Sequence, residues 1–123
     1  LRRAPLPLRG SPAGSAGIAD AANAPMIVGI VSFELHLPES RSLKDKRRVV
    51  KSLIDRVHQQ YRVSVVESAF HDLHQRAEIS IAAVTLKEAE MEKLMNHIRD
   101  LVESVPEAYL TRWEPQLLEE AGA

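Results

Sequence analysis

The hydrophobic patterning of this chain predicts an α+β fold whose elements follow the order βαββαβ. Three observations carry that expectation. Apolar residues alternate with others from Ile27 to Leu37. Two later stretches place apolar residues at helical spacing, each opening on a Ser or Thr followed three residues on by an acid. Two short alternating runs, joined by a polar turn, lie between the helical stretches.

In the first strand, Ile27, Val31, Phe33, Leu35 and Leu37 share one face with Gly29, while Met26, Val28, Ile30, Ser32, Glu34 and His36 share the other. Pro38 ends it. Ser42 with Asp45 reads as a capping box opening a helix. On that helix Val49, Val50, Leu53, Val57 and Tyr61 fall on one side, and Lys44, Arg47, Arg48, Lys51, Asp55 and His58 on the other. Val63, Val65 and Val66 give a short second strand, residues 71–76 a turn, and Ile79, Ile81 and Ala83 a third strand, so that the two form a hairpin. Thr85 with Glu88 reads as a second capping box, and Met91, Leu94, Met95, Ile98, Leu101, Val102 and Val105 form the core stripe of a helix stopped by Pro106. Ala108 to Glu114 is the expected last strand, closed by Pro115, with residues 116–123 fraying. Assembled, these elements make a ferredoxin-like sandwich, a four-stranded antiparallel sheet with two helices on one face. That topology brings the loop 36–43, the amino end of the first helix and the turn 71–76 to one end of the molecule.

At 123 residues the chain has the length of one domain. Residues 26–118 are expected to form it, between a disordered extension at 1–25 and a disordered tail at 119–123. The extension carries Arg2, Arg3 and Arg9, four prolines and no acid before Asp20. A transit peptide would share that composition, but a plain extension ahead of Met26 is the expectation. With 45% hydrophobic residues, 27% charged and a net charge of -1, nothing draws the whole protein to a polyanion, so any such site must be local. The absence of cysteine excludes disulfides, thiol catalysis and thiolate-held metals, and fits the expected cytoplasmic location. No apolar run nears the roughly 20 residues that span a bilayer, and no membrane partner is expected.

The run Phe33 to Pro38, then Ser40 to Arg47, and later Asp72-Leu73-His74-Gln75-Arg76-Ala77, resembles the YlxP-like family of small uncharacterised bacterial proteins over about residues 26–118. The resemblance implies a ferredoxin-like fold and an unknown function. Genes of that family often lie beside those for translation initiation and ribosome maturation, which implies, by association, a link to RNA or the ribosome. His71 and His74 stand where that family is expected to carry Gln and Trp, so stacking by an indole at position 74 is lost here.

The strongest local signal is charge. Arg41, Lys44, Lys46, Arg47, Arg48 and Lys51 fall within eleven residues that hold one acid, Asp45. Free N–H groups at the helix start, the Ser40 and Ser42 hydroxyls, and Lys44, Arg47 and Arg48 suit a phosphate. The expected anion or RNA site is therefore His36, Ser42, Lys44, Arg47, Arg48, Gln75 and Arg76, with Asp72 holding one of the arginines in place. The plainer alternative is a solvated helix face capped by Ser42.

Other chemistry is weaker. His36, His71 and His74, with Asp72 and Glu67 nearby, lack the long ligand spacing of a zinc motif, so neither metal nor cofactor is expected. Ser40 or Ser42 near His36 falls short of a catalytic constellation, and no enzyme activity is expected. An acylphosphatase-like reading lacks the glycine-rich phosphate loop. Base stacking on the sheet needs aromatics on the central strands, and Ile30, Ser32, Glu34, Ser80, Ala82 and Val84 supply none. Tyr109 and Trp113 are expected to pack rather than stack. Met26, Val28, Ile30, Ala82 and Val84 leave an apolar patch that a second copy, or a tail bearing Leu117 and Leu118, would cover.

The leading expectation is a cytoplasmic, non-enzymatic protein that contacts RNA or the ribosome through its basic edge. The runner-up is a homodimeric small-ligand or regulatory module, and the third a phosphate-handling enzyme.

Overall fold

The computed structural model describes residues 26–119, so the expectations for residues 1–25 and 120–123 lie outside the described residues. The order is β1 (Ile27–His36), α1 (Leu43–Gln60), β2 (Ser64–Ala69), β3 (Arg76–Thr85), α2 (Glu88–Glu103) and β4 (Tyr109–Glu119). β1 and β3 each alternate between a buried and a half-exposed face, as their sequences dictate. They pair antiparallel at the centre of a sheet ordered β2-β3-β1-β4, with Ile27 opposite Thr85 and His36 opposite Arg76. This is the ferredoxin-like α+β arrangement.

The buried face of the sheet, including Val31, Phe33, Leu35, Ile79 and Ile81, meets Val50, Leu53 and Val57 of α1 and Met91, Ile98 and Val102 of α2. Each such side chain contributes about 1.5–3 kcal/mol by leaving water. Gly29 belongs to this face because a Cβ there would collide with Met91 Sδ.

A bulge in the β1–β4 pairing decides what β4 shows to each side. Leu35 faces Leu110 and Glu34 faces Arg112, so Thr111 is the extra residue, and its hydroxyl donates to Glu34 O at 3.2 Å. Leu110 and Trp113 thus both pack against the core, while Tyr109 and Arg112 both face the helix-free side.

Two element ends depart from expectation. Thr85 does not open α2: it is still paired with Ile27, its hydroxyl donates to Lys87 O at 3.0 Å, and the helix starts from Lys87 without a side-chain cap. A residue held in sheet register is too early to cap a helix beginning at Glu88. β4, in turn, passes through Pro115 and runs to Glu119, although residues 116–119 were expected to fray. An edge strand has one side without ladder partners, where a missing N–H costs nothing. Leu118 lies opposite Val28, while Leu117 lines a cleft of about 280 Å³ with Gly29, Met91 and Trp113. These leucines extend the sheet and do not fold over it.

Candidate nucleic-acid interface

The two loops meet as the topology requires. The Leu37 N–H donates to Gln75 O at 2.9 Å, and Gln75 Nε2 donates to the carbonyls of Pro38 and Ser40, both at 3.2 Å. Gln75 is therefore a clamp between loops. Ser42 is equally committed: the Asp45 N–H donates to its Oγ at 3.0 Å, and Asp45 Oδ2 accepts the Arg41 N–H at 2.9 Å. The carboxylate reaches one residue beyond the cap, so an acid of the first turn sits at the amino end of α1.

Lys46 is the residue that sequence reasoning missed. It sits on the same side of α1 as Val49, Val50 and Leu53 and is 1% exposed. Its Nζ donates to Phe70 O at 2.8 Å and to Arg76 O at 3.1 Å. It also lies 3.0 Å from Glu67 Oε2, near enough for charge attraction but off the axis of a hydrogen bond, which leaves that buried oxygen without a hydrogen-bond partner. The signal was its helical phase, one turn before Val49 and Val50. Phe70 holds its carbonyl there with a left-handed backbone, φ 64°, a costly conformation for an aromatic residue.

The predicted cations separate into two layers. Lys44, Arg47 and Arg48 are exposed on α1, where Arg48 Nη1 lies 3.8 Å from Glu107 and Lys51 pairs with Asp55 at 3.0 Å. Among the described residues Lys44 and Arg47 have no carboxylate partner. Arg76 instead lies on the helix-free face, its Nε 2.7 Å from Glu34 Oε2 and its guanidinium 3.9 Å from the centre of the Phe70 ring. Arg112 joins from β4, 3.0 Å from Glu78 and 3.8 Å from Glu34. The hydrogen bond from Arg76, opposed by burial and aided by the charges of Arg76 and Arg112, holds the Glu34 carboxyl below its ordinary value. Asp72 departs from its expected role. It is exposed in the turn and pairs with no arginine among the described residues, because Glu34 has taken Arg76.

His36 lies opposite Arg76 on one side and Tyr109 on the other, at the loop end of the helix-free face. Tyr109 and Trp113, expected to behave alike, do not. Trp113 stacks on Phe33 at 5.4 Å and 27°, with Arg99 over its ring, whereas Tyr109 is 61% exposed. His71 Nε2 bonds Glu67 O at 2.9 Å. Among the described residues no helix is long and apolar enough to cross a membrane.

A family model described as a protein of unknown function, DUF503, matches residues 28–114. The uncharacterized protein YlxP of Bacillus subtilis is 32% identical over 81 residues, which cover 66% of this chain and 88% of that protein. Among solved structures, a de novo designed protein aligns with a TM-score of 0.45 at 12% identity, over 80% of this chain and 99% of that one. A protein of Shewanella oneidensis aligns with a TM-score of 0.44 at 17% identity, over 80% and 93% of the respective chains.

Proposed function

Since the chain belongs to the DUF503 family, whose function is unknown, we propose from its surface chemistry that it is a cytoplasmic, non-catalytic protein that contacts RNA phosphates, in a ribosomal or translational setting, through the exposed basic side of α1. One observation supports this most directly. Among the described residues Lys44 and Arg47 are exposed without carboxylate partners, while Asp45 is turned back onto the Arg41 N–H and its own N–H is taken by Ser42. Arg48 and Lys51, in exposed pairs with Glu107 and Asp55, continue the face of Lys44 and Arg47, so that cations stand three and four residues apart along one helix side, which suits a chain of phosphates.

Binding of a short mixed-sequence RNA, followed by fluorescence anisotropy across a salt series, tests the reading. Log affinity is expected to fall with log salt, by about 0.7 in slope for each phosphate neutralised on a single strand. Arg47→Ala and Arg48→Ala should each weaken binding similarly across sequences and flatten the slope. Absence of binding at low salt would remove the reading.

A second reading has its own observation. Val66 and Val84 are 57% and 59% exposed beside Val28, Ile30 and Ala82 on the helix-free face, and a second copy would cover them. Sedimentation should then show a dimer that Ile30→Glu dissociates.

A further inference from the structure

We infer that the loop end of the helix-free face is a stacking platform for an unpaired nucleobase, formed by the cross-strand row Arg76, His36 and Tyr109. It rests on the RNA-contacting reading above and names what part of the RNA, besides phosphate, the protein holds. The row follows from register: His36 of β1 pairs with Arg76 of β3 and with Tyr109 of β4, so all three side chains leave the sheet on one face. Directly opposed side chains on a sheet stand about 4.5–5.5 Å apart, the scale on which planar groups form a continuous surface.

Each member has the right chemistry. Guanidinium, imidazole and phenol are the planar groups on which unpaired bases stack. Arg76 is preset by its bond to Glu34 and by the Phe70 ring, so its plane is fixed before a ligand arrives. His36 and Tyr109 are exposed, and among the described residues neither side chain forms a hydrogen bond that would hold it elsewhere. Two departures from regular backbone serve the same row. The bulge at Glu34/Leu35 lets Tyr109 face this side while Leu110 stays in the core, and the left-handed Phe70 sets its ring against Arg76.

Neighbouring rows favour a base over a second copy of the chain. The adjoining row, Glu78, Glu34 and Arg112, is ionic, and burying it in a protein interface would cost the hydration of all three charges. The aliphatic row of Val84, Val28 and Leu118 lies at the opposite end. The platform itself carries little net charge because Glu34 offsets Arg76. The phosphates are attracted instead from the loop that leaves His36 and reaches α1 at Leu43, where Arg41 and Lys44 are exposed. A strand held at Arg41 and Lys44 would reach the row by following that loop around the end of the sheet.

The middle rows carry no aromatic side chain, as expected; the proposed platform lies in the last row, where an arginine and a histidine would take that part and the phenol ring comes from the edge strand.

The test compares the full chain binding to oligoadenylate and to an abasic oligonucleotide of equal length and charge. Tyr109→Ala is expected to weaken oligoadenylate binding about tenfold, in keeping with loss of one stacked base, with the salt slope and the abasic affinity unchanged. Tyr109→Phe, which keeps the ring, should restore the affinity. Arg47→Ala should weaken both strands. If Tyr109→Ala binds oligoadenylate as tightly as the unmodified protein while Arg47→Ala is weakened, the platform is overturned and the phosphate reading stands. If the unmodified protein binds neither strand, both fall. If Tyr109→Ala alters sedimentation and not affinity, the row is a contact between copies, and the base platform is overturned.

Discussion

Lys46 and Arg47 are neighbours in sequence and alike in charge, yet one is in the core and the other in solvent. The difference is helical phase. Lys46 shares the side of α1 that carries Val49, Val50 and Leu53, and its ammonium finds two carbonyls and a carboxylate at the base of the β2–β3 hairpin. Arg47 is turned by a further ~100° and meets water. A run of like charges is therefore not one surface. Its members divide between holding α1 onto the hairpin and facing solvent, and stability separates the two groups because exposed charges contribute little to it.

The largest effect expected is at Lys46. Lys46→Ala should destabilise the protein by about 3 kcal/mol, because it removes the buried cation that faces Glu67 and bonds the carbonyls of Phe70 and Arg76. Urea unfolding measures it, and adding Glu67→Gln should recover part of the loss. Next comes the cap: Ser42→Ala should cost about 1 kcal/mol, while Thr85→Ala should stay within about 0.5 kcal/mol, since only the first hydroxyl caps a helix.

A smaller effect concerns acid. The Glu34 carboxyl titrates lower in the folded protein than in the unfolded chain, so its stabilising contribution is complete above the ordinary carboxylate range and is lost as pH falls through the folded value. Arg76→Ala should move the Glu34 titration, followed by carboxyl NMR, back toward the ordinary range. The stability gap between the two proteins should then narrow below about pH 4. The smallest effect is at Arg47, where alanine should change stability by less than about 0.5 kcal/mol, whatever it does to RNA binding. A larger loss would place Arg47 with Lys46 and dissolve the distinction between them.

The fold was legible because β1, β3 and the two helices obey simple periods, and a period is a local property. Residues such as Phe33, Ile79, Leu53 and Ile98 could be assigned to one core from spacing alone. What sequence could not show was where an element ends relative to its motif. Thr85-x-x-Glu88 has the letters of a capping box, but sheet pairing keeps Thr85 in β3, and Pro115 resembles a terminator until β4 is known to be an edge strand. The candidate site was legible in its meeting of loops and not in its partners. Arg76 was assigned to the helix edge, yet its place in β3 turns it to the opposite layer, where Glu34, forty-two residues away, takes it up. The row at His36 was hidden for a further reason, since it depends on a bulge that shifts the face of Tyr109 and has no signature in composition.

Gly29 and Met91 carry a consequence for how this sequence can change over time. The space a side chain would need at position 29 is already filled by the thioether of Met91, so the two positions share one volume. Enlarging residue 29 alone displaces the flexible end of the methionine, which borders the cleft that Gly29 also lines. Shortening residue 91 alone opens a void. The two positions are therefore coupled through one volume, and relatives that carry a larger residue at 29 are expected to carry a smaller or differently turned one at 91.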